Sequence, residues 1–162
     1  MLTAGDFLAF ADVALGAMTD TLAELGEELV NARLDVPGSN TPFAVAAHCA
    51  GVMTYWGTEV NLGVPVGRDR AAEFRASGTV AEAVALFHAA SAALHEAVEA
   101  ARPLEAAPPG AVASFPGDEE IVGSRATVLL HVYDELCQHL GQLQVTRDVL
   151  RAGGAGVVAG PA

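Results

Sequence analysis

The chain has 162 residues, of which 52% are hydrophobic and only 6% aromatic, and it carries a formal charge of −12 from 20 acidic and 8 basic side chains. That charge argues against nucleic acid or an anionic membrane surface as partner, because phosphates would be repelled over most of the surface. The length suits one domain that buries roughly 68–70% of its unfolded surface without disulfide staples, and no apolar run approaches the length of a membrane span. There is no leader pattern, so a cytoplasmic protein is expected.

Alanine richness with few aromatics favours closely packed helices over strands, so the expected class is all-α. The first helix is predicted over residues 3–31, with Leu15, Met18, Leu22, Leu25 and Leu29 on one side and Thr3 with Asp6 as its start signal. Pro37, Gly38 and Pro42 end it, and Asn40 or Thr41 caps a second helix running from Pro42 to about Asn61. Gly51 and Gly57 weaken that helix locally, and Gly63 with Pro65 stops it.

A linker with a short helical patch, RDRAAEFRA, leads to Thr79, whose T-x-x-E pairing with Glu82 opens a third helix reaching about Ala101. The proline-rich stretch 103–117 reads as an extended loop. A fourth helix starts near Gly123 or Ser124 and continues to Arg151, with Gly153 as its stop. Residues 1–152 are thus expected to form a four-helix bundle, and 153–162 a flexible tail.

The fourth helix carries His131, Glu135 and His139 at successive steps of four. Neighbours at that spacing lie about 6 Å apart along one helix face, so either adjacent pair can converge on one ion. All three are too far apart to share it, since His131 and His139 are separated by roughly 12 Å. A further ligand must come from elsewhere, and His48, in the apolar setting VAAHCAGV, is the best candidate. Imidazole and carboxylate donors suit zinc, nickel, iron or manganese, and three protein ligands leave a position open.

Other polar residues have plainer readings. Cys49 and Cys137 are expected as free thiols packed in the core. Tyr55 and Trp56 read as core aromatics that could also wall a pocket. His88 and His95, seven apart, read as a solvated or dimer-facing stripe, and Glu27–Glu28 and Asp118–Glu120 as solvated surface. Gln142 lies one turn beyond His139, where it can contact a ligand or the residues around the site, or stand as a partly exposed helix residue. Arg147 can anchor a carboxylate of a bound molecule or serve as a cation near the helix C-terminus.

The pattern ELCQHLGQL, containing Glu135, His139, Gly141 and Gln142 and followed by Arg147, resembles the last helix of the DinB superfamily, where a ligand lies four residues before a histidine. The segment PGSNTPFAVAAHCAGVMTYW is similar to that superfamily's second helix, with His48 at the first ligand position. Helix order and spacing also fit, so the resemblance extends from Phe7 to Arg151. The set His48, Glu135 and His139 is similar to the metal site in the amino-terminal domain of mycothiol-dependent maleylpyruvate isomerases and their single-domain relatives.

The resemblance implies a DinB-like bundle holding a divalent metal, zinc first and nickel second, on His48, Glu135 and His139. It also implies a mycothiol-like low-molecular-weight thiol as cofactor and an electrophilic small molecule as substrate, hence S-transfer or isomerisation. Gln142 and Arg147 are the candidates for contacting the thiol. The chain is expected to lack the second domain of the full isomerases. The competing expectation is a non-catalytic bundle that binds a metal or small ligand. The assembly stays open, with a homodimer through the long helices as the working expectation.

Overall fold

A computed structural model describes residues 3–110, 118–153 and 157–159. Helix dominates, as the composition predicts: α1 (Ala4–Leu29), α2 (Pro42–Thr54) continued by a π-helical stretch (Tyr55–Val60), α3 (Arg70–Glu73), α4 (Val80–Ala100), α5 (Asp118–Ile121) and α6 (Arg125–Arg151). Two three-residue strands, β1 (Ala32–Leu34) and β2 (Val157–Ala159), complete the order. No helix among the described residues is long and apolar enough to cross a membrane.

The long helices begin where side chains satisfy their first backbone N–H groups. The Asp6 N–H donates to Thr3 Oγ1 at 3.1 Å while the Asp6 carboxylate accepts from the Thr3 N–H at 2.9 Å. Thr79 and Glu82 close the same reciprocal box on α4, and Ser124 with Thr127 closes one on α6. Of the two candidate caps for α2, Thr41 accepts from the Ala44 N–H, and Pro42 follows as the first helical residue. Each such cap is worth about 1 kcal/mol.

α1 packs on α4 and α6, and α2 packs on the same two helices, so the four enclose one core. Its centre is built from fully buried Met18 and Leu22 of α1, Met53 of α2, Phe87 and Leu94 of α4, and Leu136 and Leu143 of α6. Burying each of these side chains stabilises the fold by roughly 1.5–3 kcal/mol. The expected α1 stripe is buried through Leu25. Gly26, with φ of 65°, then kinks the chain and leaves Leu29 only partly buried.

Some elements depart from the periodicity. The stretch after α1 contains β1, which pairs antiparallel with β2 through Ala32↔Ala159, Arg33↔Val158 and Leu34↔Val157. β2 falls within the expected flexible tail; the rest of that tail beyond Gly153 lies outside the described residues. The expected loop is described only to Gly110, and residues 111–117 lie outside the described residues. Its first half is pinned to the helices, since the Gly110 N–H donates to the Val60 carbonyl and the Arg125 N–H to the Ala106 carbonyl. The acidic run contributes α5, in which Glu119 and Glu120 are exposed.

Candidate functional site

On α6, Leu129, Val132, Leu136 and Leu143 recur at helical steps and are buried in the core. The adjoining stripe, offset by one residue, carries His131, Glu135, His139 and Gln142, all partly exposed. That stripe faces α2, whose His48 is only 4% exposed. His48 Nε2 lies 3.5 Å from Glu135 Oε2, and His139 Nε2 lies 3.4 Å from the same oxygen. One ligand atom from each of the three residues falls within 4.8 Å of the others, and this is the group of metal-capable side chains brought together among the described residues.

The two separations from Glu135 suit a small cation. Donors at 2.0–2.2 Å from a tetrahedral ion stand about 3.3–3.6 Å apart, which those two distances match. The electrostatics point the same way. Hydrogen bonding from His139 and then from His48 holds the Glu135 carboxyl far below the usual carboxylate range, despite its partial burial. Glu135 in turn raises the His139 imidazole above its ordinary value. An ionised carboxylate between two imidazole nitrogens, half out of water, is a place where positive charge is stabilised.

Both histidines are held from behind by an oxygen. Gln142 Oε1 lies 2.8 Å from His139 Nδ1, and Glu73 Oε2 lies 2.8 Å from His48 Nδ1. Each contact orients the ring so that Nε2 faces Glu135. Glu73, at the end of α3, is itself gripped by Arg68, which donates from Nε at 2.7 Å and from Nη2 at 2.9 Å. Burial works against the ionised Glu73 carboxyl, but the Arg68 and His48 hydrogen bonds outweigh it and keep its pKa low. Phe74 stacks on the His48 ring at 4.7 Å, and Arg68 lies over the Tyr55 ring.

Sequence reasoning finds Gln142 as a neighbour of the site and misses Glu73, Arg68 and Phe74. They sit in the linker patch, where no periodicity assigns a face. The one available signal is that this short patch gathers Arg68, Arg70 and Arg75 from a chain with eight basic residues.

The other expected residues fall around this centre or away from it. His131 stays outside the trio, its Nε2 4.0 Å from Glu135 Oε1 and its ring 4.6 Å from Trp56. Trp56 packs against the core and Tyr55 is half-buried, so both border the site from the π-helical stretch. Arg147 pairs with Glu24 at 3.0 Å and Asp148 at 2.8 Å, tying α6 to α1. His95 meets Asp12 at 2.9 Å on the exposed face, and His88 is exposed. Cys49 is buried as expected, and burial pushes its thiol pKa up. Cys137, expected in the core, is exposed instead. It follows the buried Leu136 by about 100° of helical turn and falls on the outward face with Asp134, Gln138 and Gly141.

A family model described as mycothiol S-transferase matches residues 6–152. No curated protein and no solved structure matches the chain. The match takes in every helix from α1 to α6, the three converging side chains and the residues that hold them, in keeping with the DinB resemblance of the two histidine segments. The chain belongs to the mycothiol S-transferase family.

Proposed function

We propose that the protein is a metal-dependent S-transferase that joins a low-molecular-weight thiol of the mycothiol type to an electrophilic small molecule, using His48, Glu135 and His139 to hold a divalent cation. The observation that carries this reading is the convergence of two imidazole Nε2 atoms and one carboxylate oxygen from two different helices, within 4.8 Å of one another. A cation held there, zinc first and nickel second for this donor set, supplies the positive charge that brings a thiol's pKa toward neutrality.

The chain's own residues then divide the work. Glu135 contributes the negative charge that binds the ion, and the two histidines contribute neutral donors with fixed rings. Gln142 orients His139 from Nδ1. Phe74 against His48 and Trp56 against His131 line the approach with apolar surface, which limits water around a nucleophile. Arg147 pairs with the exposed Glu24 and Asp148, which ties α6 to α1, and with Gln142 it is the proposed contact for the thiol. In this reading the protein works in the cytoplasm, as a homodimer through the long helices.

The test is conjugation. Protein loaded with zinc, given mycothiol and a panel of electrophiles, is expected to yield thioether products by mass spectrometry, and His139→Ala is expected to yield none. Stoichiometric metal without any conjugate across the panel would instead favour a binding module.

A further inference from the structure

We propose that Glu73 is the positioning residue for His48: its carboxylate, clamped by Arg68 in the space left by Gly51, fixes the imidazole with its hydrogen on Nδ1 and Nε2 directed at Glu135 and His139. The functional meaning of this latch rests on the metal reading above, but the latch itself is a geometric claim that can be tested without thiol or substrate.

The first observation is chemical. An ionised carboxylate only accepts hydrogen bonds, so the 2.8 Å contact with Glu73 Oε2 favours the hydrogen on His48 Nδ1 over the longer 3.3 Å approach of Arg68 Nη2, a donor that would need that nitrogen bare. Nε2 is thereby directed at the oxygen of Glu135, 3.5 Å away. The second is burial. Glu73 is 10% exposed and Arg68 12% exposed, so this is no solvated ion pair of negligible worth; each partner left alone would be a poorly hydrated charge. Arg68 uses both Nε and Nη2, one on each oxygen, so the carboxylate cannot rotate away from the histidine.

The third observation is an absence of bulk. Gly51 lies three residues beyond His48 on α2, on the same side of the helix, and a Cβ there would overlap Glu73 Oε1 and come within 2.6 Å of Cδ. Any side chain at this position would push Glu73 off the helix surface. A glycine that weakens α2 by up to about 1 kcal/mol is thus explained by the close approach it permits. Phe74 then stacks on the same ring, so α3 and the residue after it contact His48 at its Nδ1 edge and its face.

The experiment compares native protein with Glu73→Ala, Glu73→Gln, Gly51→Ala and the double variant Gly51→Ala/Glu73→Ala. Zn(II) affinity is read by competition with a chromophoric chelator, helix content by circular dichroism, and the His48 Nδ1–H resonance by NMR of metal-free protein. Glu73→Ala is expected to weaken Zn(II) binding about 10–100-fold with helix content unchanged, and Glu73→Gln, which keeps an acceptor oxygen, by less. Gly51→Ala, which touches no ligand, is expected to weaken it similarly, and the double variant no further, because both changes remove one contact.

The Nδ1–H resonance is expected in native protein and lost in Glu73→Ala. Were native protein to bind no Zn(II) yet show that resonance and lose it in Glu73→Ala, the latch would stand and the metal reading would fall. Native-like Zn(II) affinity in both Glu73→Ala and Gly51→Ala, or absence of the resonance from native protein, would overturn the proposal.

Discussion

His88 and His95 on α4 and His131 and His139 on α6 look alike in sequence: two imidazoles per long helix, at spacings that put each pair on one face. The structure treats the two faces differently. On α4, His95 meets a single carboxylate, Asp12 of α1, at an exposed edge, and His88 is solvated. On α6, the carboxylate belongs to the same helix as His139, a buried histidine arrives from α2, and each of those two rings is held from behind by an oxygen. Spacing supplies candidates; what separates a site from a surface stripe is convergence between helices with support behind the donors.

The comparison can be broken at several points. Removing Glu135 or His139 by alanine is expected to abolish stoichiometric binding of a divalent metal, whereas His88→Ala and His95→Ala leave it unchanged, as equilibrium dialysis with elemental analysis would read. Leu136→Ala, which empties the core beneath the stripe, is expected to destabilise the fold by about 2–5 kcal/mol in urea unfolding. Gln142→Ala frees His139 Nδ1 at a partly exposed position and is expected to weaken Zn(II) binding about tenfold, the lower end for an outer support.

Far from the site, Thr79→Ala removes the α4 cap and is expected to cost about 1 kcal/mol. The partner carboxyl adds a small pH dependence. Hydrogen bonds from the Thr79 backbone N–H and hydroxyl hold Glu82 below its ordinary value of 4.5. Its contribution is therefore complete above that pH and fades as the pH falls through the lowered folded value. Glu82→Gln is expected to flatten this part of the profile of melting temperature against pH.

Much of the helical frame was legible. Start signals at Thr3 and Thr79, a start near Gly123 or Ser124, and apolar periodicity located α1, α4 and α6, because those signals are local and the helices are long. The trio was legible in part: the step of four gives a pair and the apolar setting of His48 makes it the third candidate, but choosing Glu135 with His139 over His131 with Glu135 took the family resemblance. What stayed hidden depends on contacts between segments. Glu73 reaches His48 only because a short linker helix folds back over Gly51, and nothing in RDRAAEFRA announces that. The pairing of β1 with β2 joins residues from nearly opposite ends of the chain, and three-residue strands carry almost no pattern. Cys137 was misplaced because a thiol's usual burial was weighed above its position one step past Leu136 on the helix.

The most direct measurement is metal content per chain for native protein, His139→Ala and His95→Ala, each prepared without chelator and checked for native helix content. One divalent ion per chain in native protein and in His95→Ala, with none in His139→Ala, is the result this account predicts. Substoichiometric metal in native protein, or equal content in all three, would contradict it.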